Sequence, residues 1–392
     1  MSIEIKQHEP GKDLKDFMRV PFEVYAGDPA WVAPLNIQIK ERLTPEKNPF
    51  FHHAEVALFT AWKGGKLSGR ISAQVDHEHL RIHGDDAGFF GFFDTLEDQE
   101  VATALVNRAA SWLADRGMSL MRGPCSLSIN DEAGILIEGF DEPAVIMSAH
   151  HRAYQGVLAE GAGLRKVKDC YSWWYDIAAP TPPAQQAWDM IAALPEVRFR
   201  TVDRKKLETD AYDILDVYND AFQHNWGFVP ATKAEAERMA EDLRALATDL
   251  CFFVEIGGRP VAICIALLNL DEVIRDFNGK LNPMNVVKLW WRLKVRRPKS
   301  FRCILLGIRQ ELRREERYRP LAMAISAELI RRSLEMGYEW ADLGWTLEDN
   351  HPVNTIIRKV GGRIYKRYRL YEKETGDSAR PGPEVGSPRT RT

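Results

Sequence analysis

The chain has 392 residues, 45% of them hydrophobic, with a formal net charge of -3. That length suggests two or three domains with sizeable cores. The near-neutral balance excludes a chain-wide field for nucleic acid or membrane and leaves only local patches.

Five widely spaced cysteines, Cys125, Cys170, Cys251, Cys264 and Cys303, form no CxxC pair, so neither a disulfide framework nor a zinc knuckle is expected. The first residues carry no apolar signal core. The longest apolar runs, such as Val261–Leu268, are far shorter than the roughly 18 residues of a spanning helix. A cytoplasmic protein with no membrane partner is therefore expected.

In chain order, the first half predicts a strand at Ser2–Gln7 and a helix at Lys12–Tyr25. Ala54–Trp62 and Leu67–Val75, joined by Gly64-Gly65, read as a hairpin. A short apolar strand at Gly88–Phe93 precedes a helix at Asp98–Arg116 that Gly117 stops. Leu120–Arg122 reads as a strand, 123–147 as a long irregular segment, His151–Gly161 as a helix and Lys166–Asp176 as a strand. Pro180, Pro182 and Pro183 mark 178–196 as the linker.

The second half repeats the plan. Strand Arg198–Val202 leads to helices at Lys206–Phe222 and Thr232–Ala247, then to a hairpin of Cys251–Ile256 and Pro260–Leu268 around Gly257-Gly258. After an insertion come strand Cys303–Ile308, helix Pro320–Met336, strand Trp340–Trp345, helix Pro352–Val360 and strand Arg363–Tyr371. An internal duplication is the simplest account. It predicts domains at 1–177 and 197–375, followed by a disordered tail at 376–392 rich in Pro, Gly, Ser and Arg.

The order resembles the GNAT superfamily of acyl-CoA-dependent N-acetyltransferases, most clearly from Arg198 to Lys373. The stretch GYEWADLGWTLEDNHPVNTIIRKVGGRIYKRYRLYEK, starting at Gly337, is similar to the family's closing unit, with Asn350 at its Asn position and Gly361 at its turn. RGPCSLSINDEAGILIEGFDEP takes the corresponding place in the first half. NPFF, GFFGFF and NWGFVP are phrases shared with a bacterial tandem-domain subfamily of uncharacterised function. The resemblance implies an α/β fold of two fused GNAT-like domains, each a mixed, mostly antiparallel sheet flanked by helices.

It also implies an acyl-CoA cosubstrate, acetyl-CoA or another, held where a strand meets a helix through a glycine-rich loop. Here the loop between Ile308 and the next helix is Arg309–Pro320 and has no glycine. Arg313, Arg314, Arg317 and Arg319 would hold the phosphates by side chain, with Ile308 and Asn350 as the other expected cofactor-binding residues, or the run is a solvated charged loop. The first half's loop, Asp94–Glu100, is acidic and repels an anion, so that half is expected to be non-catalytic.

Acyl transfer to an amine needs a base, an oxyanion donor and an acid for the thiolate. Glu348 is the candidate base, while Asp349 or Asn350 equally suits a helix cap. The tyrosine acid that the family implies on the last helix is Ile357 here, which leaves Tyr365 and Tyr368 as candidates or as packing aromatics. Asn219, Asn225, Trp226 and Asn269 are candidate acceptor-binding residues, with ordinary loop duty as the alternative. The pairs His52-His53, His77-x-His79 and His150-His151 lack a ligand array, so no metal is expected.

The insertion Leu281–Ser300 is basic and amphipathic, suited to covering a site, docking a subunit or touching an anionic surface, or to packing as a helix with a solvated face. The reading is an N-acyltransferase acting on a small-molecule or peptide amine in the interdomain cleft. The alternatives are an inactive ligand-binding protein and an aminoacyl-tRNA-dependent transferase. Nucleic acid is otherwise not an expected partner, and a homodimer is left open.

Overall fold

The computed structural model describes residues 1–246 and 248–376. The expected tail beyond Gly376 lies outside the described residues. The alternating segments become strands β1 (Ile3–His8), β2 (Ala54–Lys63), β3 (Lys66–Asp76), β4 (Ala87–Thr95), β5 (Leu120–Gly123), β6 (Ile135–Glu138) and β7 (Arg165–Asp176) in the first half. The second half supplies β8 (Val197–Thr201), β9 (Phe252–Ile256), β10 (Arg259–Leu268), β11 (Ser300–Ile308), β12 (Trp340–Leu347) and β13 (Arg363–Glu374).

All thirteen join one sheet, ordered β1-β2-β3-β4-β5-β13-β7-β12-β11-β10-β9-β8, with β6 also on β13. Only β4–β5 and β11–β12 run parallel among the described pairs. The mixed, mostly antiparallel sheet flanked by helices is the architecture the resemblance implies.

The centre of the sheet is an exchange. β13, the last strand of the second half, pairs with β5 through Tyr371–Glu374 and with β7 through Arg363–Glu372. β7, the last strand of the first half, pairs with β12 from Cys170 to Asp176. The cores follow the strands. Tyr371 on β13 is fully buried among Phe59, Ile71, Phe90 and Leu105 of the first half. Tyr175 on β7 is buried with Phe252, Phe301 and Ile325 of the second. Burying such apolar surface is the main stabilising term in either core.

The segment expected as a linker holds a helix, Pro182–Ala192, instead. Its prolines occupy the first turn, where a missing N–H breaks no helical hydrogen bond. Ala184, Ala187 and Ile191 recur at helical spacing and pack into the second core. Proline here marks a helix start. The other large helices match the expected periodicity: Gln99–Ala114 buries Val101, Leu105, Ala109 and Leu113, and Leu321–Glu335 buries Leu321, Ala324, Ile325 and Glu328. Short helices at Asn36–Arg42, His77–His83 and Leu270–Ile274 span under two turns, too few residues for periodicity to reveal them.

The exchange has a measurable consequence. Tyr371→Ala removes a side chain of the last strand from the first core, and a loss of about 3–5 kcal/mol is expected in urea unfolding. Tryptophan fluorescence and far-UV circular dichroism should report one shared transition.

Candidate functional site

The site is set by where parallel strands part. β11 and β12 pair only over Ser300–Cys303 and Trp340–Leu343. Beyond that, Ile304–Ile308 keeps its antiparallel bonds to β10 but has no strand partner on its other edge among the described residues. Gly344 sits at the fork with φ +23°, and a Cβ there would lie 2.5 Å from the Cys303 carbonyl oxygen. Glycine is needed for so close an approach. Ile304, Leu305, Leu306 and Ile308 are half-buried along this slot, as are Leu343, Trp345 and Thr346 opposite.

The first half has the same fork at Gly91, whose Cβ would meet the Cys125 carbonyl oxygen at 2.2 Å. Chain fills it: the Cys125 amide donates to Phe90 O (2.7 Å), and the Phe92 amide to Ser126 Oγ (3.3 Å). At its helix start, Asp98 already accepts the Glu100 and Val101 amides and pairs with Lys63 at 2.6 Å. A carboxylate occupies the position an incoming anion would need.

In the second half the Arg309–Pro320 loop folds into two tight turns, Gln310–Arg314 and Glu316–Tyr318. The amides of Leu312, Glu315, Tyr318 and Arg319 are spent within those turns, and that of Gln310 on Asp220. Those five amides are not open to a ligand. Of the four arginines, Arg313 caps the carbonyls of Ile308 and Ala221, and Arg317 pairs with Glu196 at 2.5 Å. Arg314 and Arg319 are exposed, and neither side chain has a hydrogen-bond or ion-pair partner among the described residues.

A cavity of about 410 Å³ lies where the halves meet, walled by first-half segments and by Leu267, Leu270, Asp271 and Ile274 of the second. Its ionisable lining is dense. Arg42 pairs with Asp131 (3.6 Å) and Glu132 (3.3 Å). Arg70 donates to Asp94 from Nε at 2.7 Å, and the Tyr25 hydroxyl donates to the same carboxylate. Burial, and then Asp94, push Tyr25 well above the usual phenol range. Burial also raises Asp131, and lifts Asp271 to about 7 with help from Glu132.

Two histidines of one loop face this cavity in opposite roles. His151 Nδ1 accepts the Leu136 amide (3.1 Å), which puts the proton of the neutral ring on Nε2. Burial lowers it to about 4, so it stays a neutral donor. His150 Nε2 donates to Asp28 at 2.9 Å, while Nδ1 has no partner among the described residues. Burial lowers its pKa too, so its neutral form presents a free lone pair. Met147, three residues earlier, adopts φ +59°, unusual for a non-glycine residue. It lines the cavity and packs on the same apolar cluster as Ile304 and Leu305.

Most expected site residues are engaged elsewhere. Glu348 accepts from the Asp169 amide (3.1 Å) and from Lys166 (2.9 Å), away from the cavity wall. Tyr365 donates to Asp342 at 2.9 Å, inside a buried group that includes Arg302. Tyr368 is buried, and its hydroxyl has no hydrogen-bond partner among the described residues. Asn350 stands at the N-cap position of His351–Val360 without capping by side chain.

Asn219 staples Ala231 through both its amide atoms. Trp226 packs under Lys168, and Asn225 lies half-buried beside it. Asn269 ties the Ile146 amide, the Ala144 carbonyl and Ser300 together. None of the four lines the cavity, although Asn269 fixes the loop that does. No group of three or more His, Cys, Asp or Glu side chains is placed to hold a metal among the described residues.

No protein-family profile matches the chain. It is 36% identical over 363 residues to a bacterial ceramide synthase of Caulobacter vibrioides, covering 92% of this chain and 94% of that one. It is 36% identical over 366 residues to protein YghO of Escherichia coli K12, covering 92% and 93%. Among solved structures, a tandem GNAT protein from the clavulanic acid biosynthesis pathway superposes with TM-score 0.58 at 12% identity, over 96% of this chain and all of that one. A GCN5-related N-acetyltransferase from Sphaerobacter thermophilus gives 0.53 at 15% identity, over 97% and 98%. At such identities these structures speak for the fold. With its exchanged sheet and forked strands, the chain belongs to the family of the Caulobacter ceramide synthase and YghO, built on a tandem GNAT fold.

Proposed function

We propose that the chain is an N-acyltransferase that moves an acyl group from a CoA thioester to the amine of a long-chain amino alcohol. The observation that supports this reading is the cavity at the junction, whose lining includes His150, held by Asp28, together with Asp131, Glu132 and Asp271. The acceptor class follows from the name of the Caulobacter relative, since a ceramide is an N-acylated long-chain amino alcohol. The volume falls in the roughly 300–1,000 Å³ range of small-molecule sites.

The chemistry follows from the groups present. An amine arrives as a cation, and Asp131, Glu132 and Asp271 attract it. His150 Nδ1 takes its proton, with Asp28 holding the ring, as a general base. The freed nitrogen attacks the thioester carbon while Nε2–H of His151 steadies the oxyanion; the adduct then collapses, the C–S bond breaks, and the CoA thiolate leaves with the proton that the nitrogen sheds as the amide forms. The thioester lies along the unpaired edge of Ile304–Ile308, with its phosphates near Arg314 and Arg319, and its acyl end passes Met147. The turned-in amides of the Arg309–Pro320 loop favour the alternative, a ligand-binding protein without turnover.

CoA release from an acyl-CoA and a long-chain amino alcohol tests the reading. His150→Gln is expected to lower kcat by about 100-fold or more with little change in KM, while Glu348→Gln loses far less. Wild-type protein that binds both ligands and releases no CoA would establish the alternative. A second prediction concerns pH. Asp271 titrates near 7 when folded and near 3.8 when unfolded, so the folded state binds the extra proton and stability falls as pH rises between those values. Melting temperatures of Asp271→Asn from pH 4 to 8 should show less decline than wild type.

A further inference from the structure

After β10 the chain leaves the sheet, and Asn282 caps a helix at Pro283–Trp291 by accepting the Asn285 amide (2.9 Å). A wider turn, Arg292–Arg296, continues it. One face is anchored: Leu289 and Leu293 pack on a buried cluster of Val32, Leu35, Val273, Ile274 and Phe277. The other face has no cover among the described residues. Met284 is 69% exposed, Val287 66%, Trp290 61% and Val295 59%, with Trp291 and Val286 also open. Of the fourteen large hydrophobic residues exposed among the described residues, seven fall between Leu281 and Val295. Concentration of this kind marks an interaction surface.

The same segment is strongly basic. From Leu281 to Ser300 it holds six Lys and Arg and no Asp or Glu, in a chain of net charge -3. Lys288 and Arg292 share the single carboxylate of Asp276, which offsets one of their two charges, and Lys299 pairs with Glu339. Lys294, Arg296 and Arg297 are exposed and have no ion-pair partner among the described residues.

We propose that this face docks on the surface of an anionic lipid bilayer, with Trp290, Trp291, Val287 and Met284 seated at the headgroup boundary and Lys294, Arg296 and Arg297 on the phosphates. Tryptophan, aliphatic and basic side chains on one in-plane helix are the composition such a surface binds. A second copy of the chain fits poorly: a two-fold contact through this face would oppose like charges with no acid in the segment to offset them. The shortness of the apolar runs argues only against spanning, and surface docking needs no long run. Val32 and Ile274 line the cavity and belong to the cluster under the helix, so docking sets the cavity one layer from the lipid. Docking itself does not depend on the proposed reaction. Only its use in delivering a long-chain amine rests on that reading.

Co-sedimentation of the full chain with phosphatidylglycerol vesicles and with phosphatidylcholine vesicles tests it. Binding to the anionic vesicles that weakens with salt, with a blue shift of tryptophan emission, is expected. At roughly five-fold per charge near such a surface, neutralising Lys294, Arg296 and Arg297 to Gln should weaken binding by about 100-fold. Trp290→Ser with Trp291→Ser should weaken it without lowering the melting temperature, since both side chains are exposed. No binding to anionic vesicles, or binding that both variants keep, would overturn the proposal. So would a wild-type dimer in sedimentation velocity that the tryptophan variant dissociates.

Discussion

The antiparallel pairing of β7 with β13 is the constraint on which the molecule depends. Each strand ends one half of the chain and borders the other half's sheet. Neither half can close its own sheet, because β5 takes its neighbour from residues 371–374 and β12 takes its neighbour from residues 170–176. Tyr371 and Tyr175 then carry each strand's packing into the opposite core. The halves are held by backbone hydrogen bonds and by burial at once, with no separable interface between them.

That exchange fixes where the cavity lies. It brings the 124–151 loop of the first half against Leu267–Ile274 of the second, and the space they enclose is the cavity. Asn269 and Arg302 bind the loop in place: Asn269 at Ala144 and Ile146, Arg302 at Ile146 (2.6 Å) and Ser148 (2.7 Å). His150 and His151 are positioned by that loop. The duplicated forks then diverge. One is filled by Cys125 and Ser126 and ends in Asp98, and the other keeps a strand edge and two arginine side chains without partners among the described residues.

The fold was largely legible in the sequence. Period-two runs around Gly64-Gly65 and Gly257-Gly258 became β2–β3 and β9–β10, and the stop at Gly117 held to within a few residues. Those signals are local, and local pattern specifies local structure. The exchange of β7 and β13 was not legible, because nothing local distinguishes a strand's own sheet from its twin. The three-proline segment misled for a related reason: proline opens helices as well as interrupting them.

The site was much less legible. Glu348, Tyr365 and Asn269 are polar residues at suggestive positions, yet each is held by partners distant in sequence, Lys166, Asp342 and Ala144. The absence of glycine from Arg309–Pro320 was informative, since the loop spends the amides of Leu312, Glu315, Tyr318 and Arg319 on its own turns. The His150-His151 pair was set aside for want of a ligand array, and only the tertiary partners engage opposite nitrogens of the two rings, Asp28 the Nε2 of His150 and the Leu136 amide the Nδ1 of His151. No spacing rule encodes that.

A crystal structure with bound CoA addresses the central claim, that the second-half fork feeds the shared cavity. The account places the pantetheine arm along Ile304–Ile308, the phosphates beside Arg314 and Arg319, and the thiol directed past Met147 toward His150. CoA lying instead at the Asp98 end of the first half, or with its thiol turned away from the cavity, would contradict it.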